Sequence, residues 1–388
     1  VKPLRIAYFG SSTAIDGGSE LRLLEMVTHF RQHHQVSVFL PDSGPLLSLV
    51  SANGVDVVNL NFLRLRYHHG MDWVRWMASV KKARTRFTRE ISSRQIQIVH
   101  FNDLIDLPFY PVPARLGIPA LTHLRLIVSN PFVRRLYRKW VRRTGTFVVP
   151  VSESVCHQML EMETGISFQV IHDPRPDPNL FHPNRSGQER SLRASFGWTE
   201  EDFVVVMVSK FLENKGHRAF LSVAKELAQD SPPRFRFLMI SGPSPGREKY
   251  QEQVLSAAQL LPPGAFHWLP GAPHSEIPVL LRGSDCFLHL PDTEDSFPGV
   301  VLEAMACGVP VVAYEAGGIP EQLDHGSAGI LVPRGDWKCA AEAVRELARD
   351  RDKGEELTSS ALHRLDTTFS RERSFGLIEE VYQGLVQW

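Results

Sequence analysis

The sequence predicts an α/β protein built from two Rossmann-like, doubly wound parallel-sheet domains that face each other across a cleft. Three observations carry this expectation. Short apolar runs of strand length alternate with helical patterns along the chain. At 388 residues the chain is long for one core and typical of two. A proline-dense stretch interrupts the alternation near its middle.

The first group of apolar runs falls at 5–9, 36–40, 55–58, 96–100, 120–123 and 147–151, the spacing of strands separated by crossover helices. Residues 173–183 then contain four prolines and lead into polar 184–188, which reads as a linker. The runs resume at 203–208, 235–240, 266–269, 286–290, 309–313 and 329–332. The domains expected are therefore 1–182 and 183–368, with a closing segment at 369–388.

Charge excludes little by its total and more by its placement. Lysine plus arginine equals aspartate plus glutamate at 43 each, so net charge names no partner. Residues 1–190 nevertheless hold 24 of the basic and 15 of the acidic side chains, making the first half basic and the second acidic. Cys156, Cys286, Cys307 and Cys339 are far apart with no C-x-x-C pair, which points to a reduced compartment and no structural metal. The apolar opening is too short for a signal peptide and no stretch reaches membrane-spanning length, so the expected location is the cytoplasm, with room for peripheral attachment to the inner membrane face.

The residues suited to chemistry lie where strands end. Between the runs at 286–290 and 309–313, a loop and helix carry Asp295 and Glu303. Ser296 is expected to cap that helix, with Pro298 in its first turn. The amides of Phe297, Gly299 and Val300 then have no carbonyl one turn earlier, and Gly299 permits close backbone approach, which suits a phosphate. Carboxylates repel phosphate, so Asp295 and Glu303 read as acceptors for hydroxyl groups. Diphosphate plus hydroxyls describes a sugar nucleotide; solvated acids on an ordinary amphipathic helix is the competing reading.

Lys210 and Lys215 follow the run at 203–208, at the strand end where open α/β sheets bind ligands, and two ammonium groups there can neutralise a departing diphosphate. Solvated surface lysines is the alternative. The first turn, residues 10–20, has glycines at 10, 17 and 18 and lacks the G-x-G-x-x-G fingerprint, so it is no NAD loop. Gly17 and Gly18 still suit a close approach to phosphate or sugar, as they suit a plain strand-helix turn. His100 and His123 end their strands and are placed either for hydrogen bonding to a sugar or for a structural role. Residues 130–144 place Phe132, Leu136, Trp140 and Val141 at helical spacing among six basic side chains. The 132–143 face suits an anionic membrane surface or an anionic acceptor, unless its apolar stripe simply packs on the sheet. No nucleic-acid module accompanies that charge.

Together these motifs resemble family 4 of the glycosyltransferases, retaining enzymes of the GT-B fold, over essentially the whole chain. Asp295 and Glu303 match its E-x7-E motif with aspartate in the first position, and Glu294 lies one residue too early. Residues 208–217 are similar to its G-R-L-x-x-x-K-G segment, with Lys210 at the arginine position and Lys215 at the lysine position. Residues 317–321 match its GG-x-P-E turn, and Gly17 to Glu20, Thr122-His123, Val151 to Glu153 and Val170 to Asp173 are looser matches. The resemblance implies that Asp295 contacts the donor sugar, Glu303 the ribose, Lys210 and Lys215 the diphosphate, and His123 the sugar. It implies sugar transfer from a nucleoside-diphosphate sugar to an acceptor hydroxyl with retention, with no metal or other cofactor; the basic face at 132–143 points to a sugar or lipid-linked acceptor in cell-envelope polysaccharide or glycolipid synthesis. It also implies that the last helix crosses back to the first domain. Two other expectations share the architecture: a nucleotide-sugar epimerase, and a non-catalytic sugar-nucleotide-binding protein.

Overall fold

The structure is a computed structural model that describes residues 2–14, 18–63, 71–161, 164–184, 186–230 and 234–387. It divides into two units, one formed by residues 1–173 with 374–388 and the other by 174–373. Each holds a six-stranded sheet in which every named strand pair is parallel.

In the first unit the strands are β1 (Arg5–Phe9), β2 (Gln35–Leu40), β3 (Asp56–Asn59), β4 (Ile98–Phe101), β5 (Ala120–Leu124) and β6 (Phe147–Pro150), in the order β3-β2-β1-β4-β5-β6. The second contains β7 (Phe203–Lys210), β8 (Phe235–Gly242), β9 (Phe266–Leu269), β10 (Cys286–His289), β11 (Val311–Tyr314) and β12 (Ile330–Val332), ordered β12-β11-β10-β7-β8-β9. Counted within its own unit, each sheet therefore has the 3-2-1-4-5-6 order of a Rossmann fold. The strand order reverses between β1 and β4 in one and between β7 and β10 in the other, the switch points where such sheets bind ligands. Strands such as β4 and β10 are buried along their whole length, as parallel strands covered on both faces must be.

The last helix, Arg371–Gln387, belongs mainly to the first unit: Phe375, Ile378, Val381 and Tyr382 join Ile6, Tyr8, Val27 and Phe30 in one core. The proline-dense stretch differs from the linker expected. Phe181 is fully buried, the Arg175 amide donates to the Phe369 carbonyl at 2.7 Å, and the Arg175 guanidinium pairs with Asp366. Its prolines shape a packed segment of the second unit, so the units divide at 173/174 and 373/374 and not at 182/183 and 368/369.

The basic helix, Pro131–Thr144, is capped by Asn130, whose side chain accepts from the Phe132 amide at 2.9 Å, and it stops at Gly145 in the left-handed region (φ 62°). Its expected stripe splits. Val141 is buried beside Tyr137, whereas Phe132 is 72% exposed and Leu136 39%. Arg138 turns inward to Glu161 at 2.8 Å, and its guanidinium donates to the Met159 carbonyl, so one member of the basic face serves the interior. Among the described residues no helix is long and apolar enough to cross a membrane.

Candidate functional site

At the switch point of the second sheet, the loops after β7 and β10 are fastened to each other. Gly216 has φ 80°, and a Cβ there would lie 1.8 Å from the Leu290 carbonyl oxygen, so only glycine fits. Asp292 N–H donates to the Asn214 carbonyl at 3.0 Å, and the Asn214 amide reaches Thr293 Oγ1 at 3.3 Å. This fastening brings Lys215 Nζ to 2.6 Å from Asp295 Oδ2. Two groups eighty residues apart thus meet as an ion pair, with the carboxylate side chain only 12% exposed.

Burial alone would raise the pKa of Asp295. His289 and the Lys215 ammonium reverse that and hold the carboxyl well below the usual carboxylate range. His289 Nε2 stands 3.4 Å from the same oxygen without hydrogen-bond alignment, so this buried nitrogen contacts the carboxylate electrostatically and is otherwise unsatisfied. His289 gave no signal in the sequence, being one more member of an apolar run. Lys210 ends β7, half-buried.

The neighbouring acid has a different task. Glu294 accepts from the Gly317 amide and pairs with Arg334. Gly318 N–H donates to the Asp295 carbonyl at 2.9 Å, and a Cβ on Gly317, which has φ 58°, would lie 1.9 Å from that same oxygen. The Gly317-Gly318 turn is therefore clamped onto the backbone of the acidic loop. Glu294 holds this clamp and Asp295 faces the lysine, a division of labour consistent with the spacing that set Glu294 apart.

The helix after this loop begins later than expected. It runs Gly299–Ala306 with Pro298 as its N-cap residue and no side-chain cap, because the extended conformation of Pro298 (ψ 120°) delays the first turn past Ser296. Gly299 and Val300 supply the first helical amides, which have no intrahelical acceptor. Phe297 is buried with its ring against Phe369 at 5.5 Å, so its side chain serves packing. Glu303 lies on this helix, 13% exposed, with Oε1 3.1 Å from His274 Nε2.

In the first unit Gly17 falls outside the described residues; Gly18 opens the helix Gly18–Phe30 and has open space where a Cβ would be. Asn102, just past β4, ties this helix start to the sheet by donating to Ser19 Oγ at 2.8 Å. His123 is 3% exposed near the end of β5, with Nδ1 2.6 Å from His100 Nε2. Burial, then the positive charge of Arg125, drives His123 well below the ordinary imidazole pKa. Arg125 is itself buried, its guanidinium 3.0 Å from Asp173 Oδ1 and 2.8 Å from the Asn102 carbonyl. For Asp173, burial raises the pKa but Arg125, then Arg22, lower it further. The sequence singled out Asp173 by motif position only and missed Arg125; its place two residues beyond His123, past a strand end, was the available signal.

Among the described residues no three His, Cys, Asp or Glu side chains are grouped to hold a metal ion. The edge of the second sheet combines basic side chains, helix amides and carboxylates, a set able to bind an anionic, hydroxylated ligand.

The chain is similar to known proteins in part of its sequence and in its fold. Residues 188–364 match the family model described as glycosyl transferases group 1. D-inositol 3-phosphate glycosyltransferases of Mycobacterium tuberculosis and Mycobacterium bovis are 32% identical over 186 residues, a stretch that is 47% of this chain and 36% of theirs. In fold, the chain is similar to Anabaena Alr3699/HepE, solved with UDP and with UDP-glucose, at a TM-score of 0.83 and 21% identity over 98% of this chain and 100% of that one. A glycosyltransferase of Rickettsia africae ESF-5 gives 0.82 and 15%, covering 100% and 99%. Over residues 188–364 the chain is thus similar to the group 1 glycosyltransferases, and its two units have the GT-B fold.

Proposed function

We propose that this chain is a retaining glycosyltransferase that moves a sugar from a nucleoside-diphosphate sugar to an acceptor hydroxyl. The Lys215–Asp295 pair at the β7/β10 switch point carries the proposal. It sets a cation and a hydroxyl acceptor beside the helix start at Gly299, the arrangement a sugar diphosphate requires. Lys210, Lys215 and the amides of Gly299 and Val300 receive the diphosphate, with Ser296 and Phe297 contributing backbone. Asp295 takes a donor-sugar hydroxyl and Glu303 the ribose.

In the reaction the bond from anomeric carbon to phosphate oxygen breaks as the acceptor oxygen bonds to the same face. The acceptor proton passes to the departing phosphate oxygen, and the lysine charges stabilise the diphosphate with no metal in that role. Among the described residues no carboxylate is set apart as a nucleophile, which favours same-face attack over a covalent intermediate. UDP-glucose, a ligand of the Anabaena protein, is the first donor to test, and UDP, also bound there, the first leaving group.

A lipid-linked acceptor, used in cell-envelope synthesis at the cytoplasmic membrane face, has support in the first unit. A cavity of about 750 Å³ is lined by Trp76, Met77, Leu136 and Trp140, with Arg84 and Arg115 among them. Those two guanidinium groups repel one another and have no carboxylate partner among the described residues. An apolar groove with unpaired cations suits a hydrocarbon chain bearing phosphate.

Thermal shift with UDP and UDP-glucose tests the donor site, since a ligand of the folded state raises Tm. Product analysis with UDP-glucose then tests transfer. A glycoside of retained configuration supports the reading; a free epimer, or binding with neither hydrolysis nor transfer across an acceptor panel, overturns it.

A further inference from the structure

Inside the first unit, Tyr8, Tyr382, His100 and His123 form an unbroken hydrogen-bonded row. The hydroxyls of Tyr8 and Tyr382 are 2.7 Å apart, Tyr382 OH meets His100 Nδ1, and His100 Nε2 lies 2.6 Å from His123 Nδ1. The two imidazole planes are within 13° of each other, as suits a contact between ring edges. All four side chains are buried, the most exposed being His123 at 3%.

Each of the three contacts needs one hydrogen, and the direction of the row decides where the last one sits. Burial keeps both rings neutral; the charge on Arg125 disfavours protonation of either ring further, and His123 adds to that effect at His100. In one direction Tyr8 donates to Tyr382, Tyr382 donates to His100 Nδ1, and His100 Nε2–H donates to His123 Nδ1. His123 then carries its hydrogen on Nε2. In the other direction His123 Nδ1–H donates to His100, His100 to Tyr382 and Tyr382 to Tyr8, which leaves the Tyr8 O–H with no acceptor. Tyr8 is fully buried and Tyr382 is its one hydrogen-bond partner among the described residues. A buried orphan donor disfavours that second arrangement by roughly tenfold or more in population.

We propose that this row fixes His123 as the Nε2–H tautomer, with Tyr382 of the last helix as the positioning residue. The end of β5 then presents a neutral hydrogen-bond donor, neither a base nor a cation. Its ligand is an oxygen acceptor, such as a sugar hydroxyl or a phosphoryl oxygen. That ligand rests on the glycosyl-transfer reading, whereas the tautomer does not.

Long-range ¹H–¹⁵N correlation spectra of the full chain labelled at histidine nitrogen provide the test. The wild type should show His123 with a bare Nδ1 and a protonated Nε2. Tyr8→Phe should keep that pattern, because Tyr382 still donates to His100. Tyr382→Phe should raise the Nδ1–H form of His123, because His100 Nδ1 then has no partner in either direction, as a bare acceptor in one and as a donor in the other. A wild-type His123 that is Nδ1–H or doubly protonated overturns the proposal even if Tyr382→Phe fails to fold, and so does a folded Tyr382→Phe with an unchanged tautomer. If the spectra agree while UDP-glucose neither binds nor reacts, the tautomer assignment stands and the glycosyl-transfer reading falls.

Discussion

The two sheets share a strand order, yet the groups at their carboxyl edges are ordered by different forces. At the second edge, charge does it: Lys215 pairs with Asp295, Arg334 with Glu294, and two glycines pack directly beneath carbonyl oxygens. At the first, a row of uncharged groups orients His123 next to the buried Arg125–Asp173 ion pair, and among the described residues nothing lies within 4 Å of where a Cβ on the glycine at the helix start would be. A charged lock answers to pH, salt and an incoming anion; a neutral row in a sealed core answers to none of these. The structure thus sets an ion-paired loop at one edge against a neutral row at the other.

The comparison breaks most visibly at its glycines. Gly317→Ala forces a Cβ against the Asp295 carbonyl at a left-handed backbone position, so the second unit should lose at least ~3 kcal/mol. Gly18→Ala meets nothing within 4 Å and should change stability by no more than ~0.5 kcal/mol. Urea unfolding of both variants measures this, and equal midpoints would mean that the clamp between turn and acidic loop does not exist.

Removing one charged partner comes next. Lys215→Ala and Glu303→Ala should each lower transfer at least about tenfold, the scale of one charge-assisted contact, under single-turnover conditions. Full turnover in both variants removes these residues from the site.

The smallest effect concerns acid. Because the Asp295 pKa is depressed in the folded chain, its stabilising contribution is complete above the unfolded carboxylate value, near pH 4, and is lost as pH falls through the lower folded one. Asp295→Asn should flatten that part of the acid-unfolding curve, monitored by circular dichroism. The His123 tautomer signals of the first unit should meanwhile hold steady from pH 6 to 9. A wild-type curve with the same acid slope as Asp295→Asn would show that the pair is not formed in solution.

These differences explain what the sequence disclosed. Strands were legible because each is a contiguous apolar run, and the second edge because Asp295, Glu303 and the Gly317 turn lie within one short segment of recognisable spacing. The start of the helix at Gly299 was misplaced because serine is the commoner cap, while the backbone of Pro298 governed here. Arg125 with Asp173, His289 beside Asp295, and the row from Tyr8 to Tyr382 were not legible. They join residues up to 374 positions apart, and local pattern holds no record of such distances. The helix at 131–144 falls between: its period was plain, but the burial of Arg138, which reaches the Met159 carbonyl and Glu161, was not.

The last helix has a consequence for how the chain is made. Since residues 374–388 complete the first unit, the second is threaded into it as an insertion joined at both ends. A ribosome finishes the first sheet long before it produces Phe375, Ile378 and Tyr382, and at ordinary elongation rates the wait is roughly 10 to 40 seconds. Throughout that interval the nascent first unit exposes the apolar face those side chains will cover, while the second is still being made and is complete at residue 373, before Phe375 is added. The order of completion is then the reverse of the order of synthesis, and the nascent first unit is the part that would most need a chaperone.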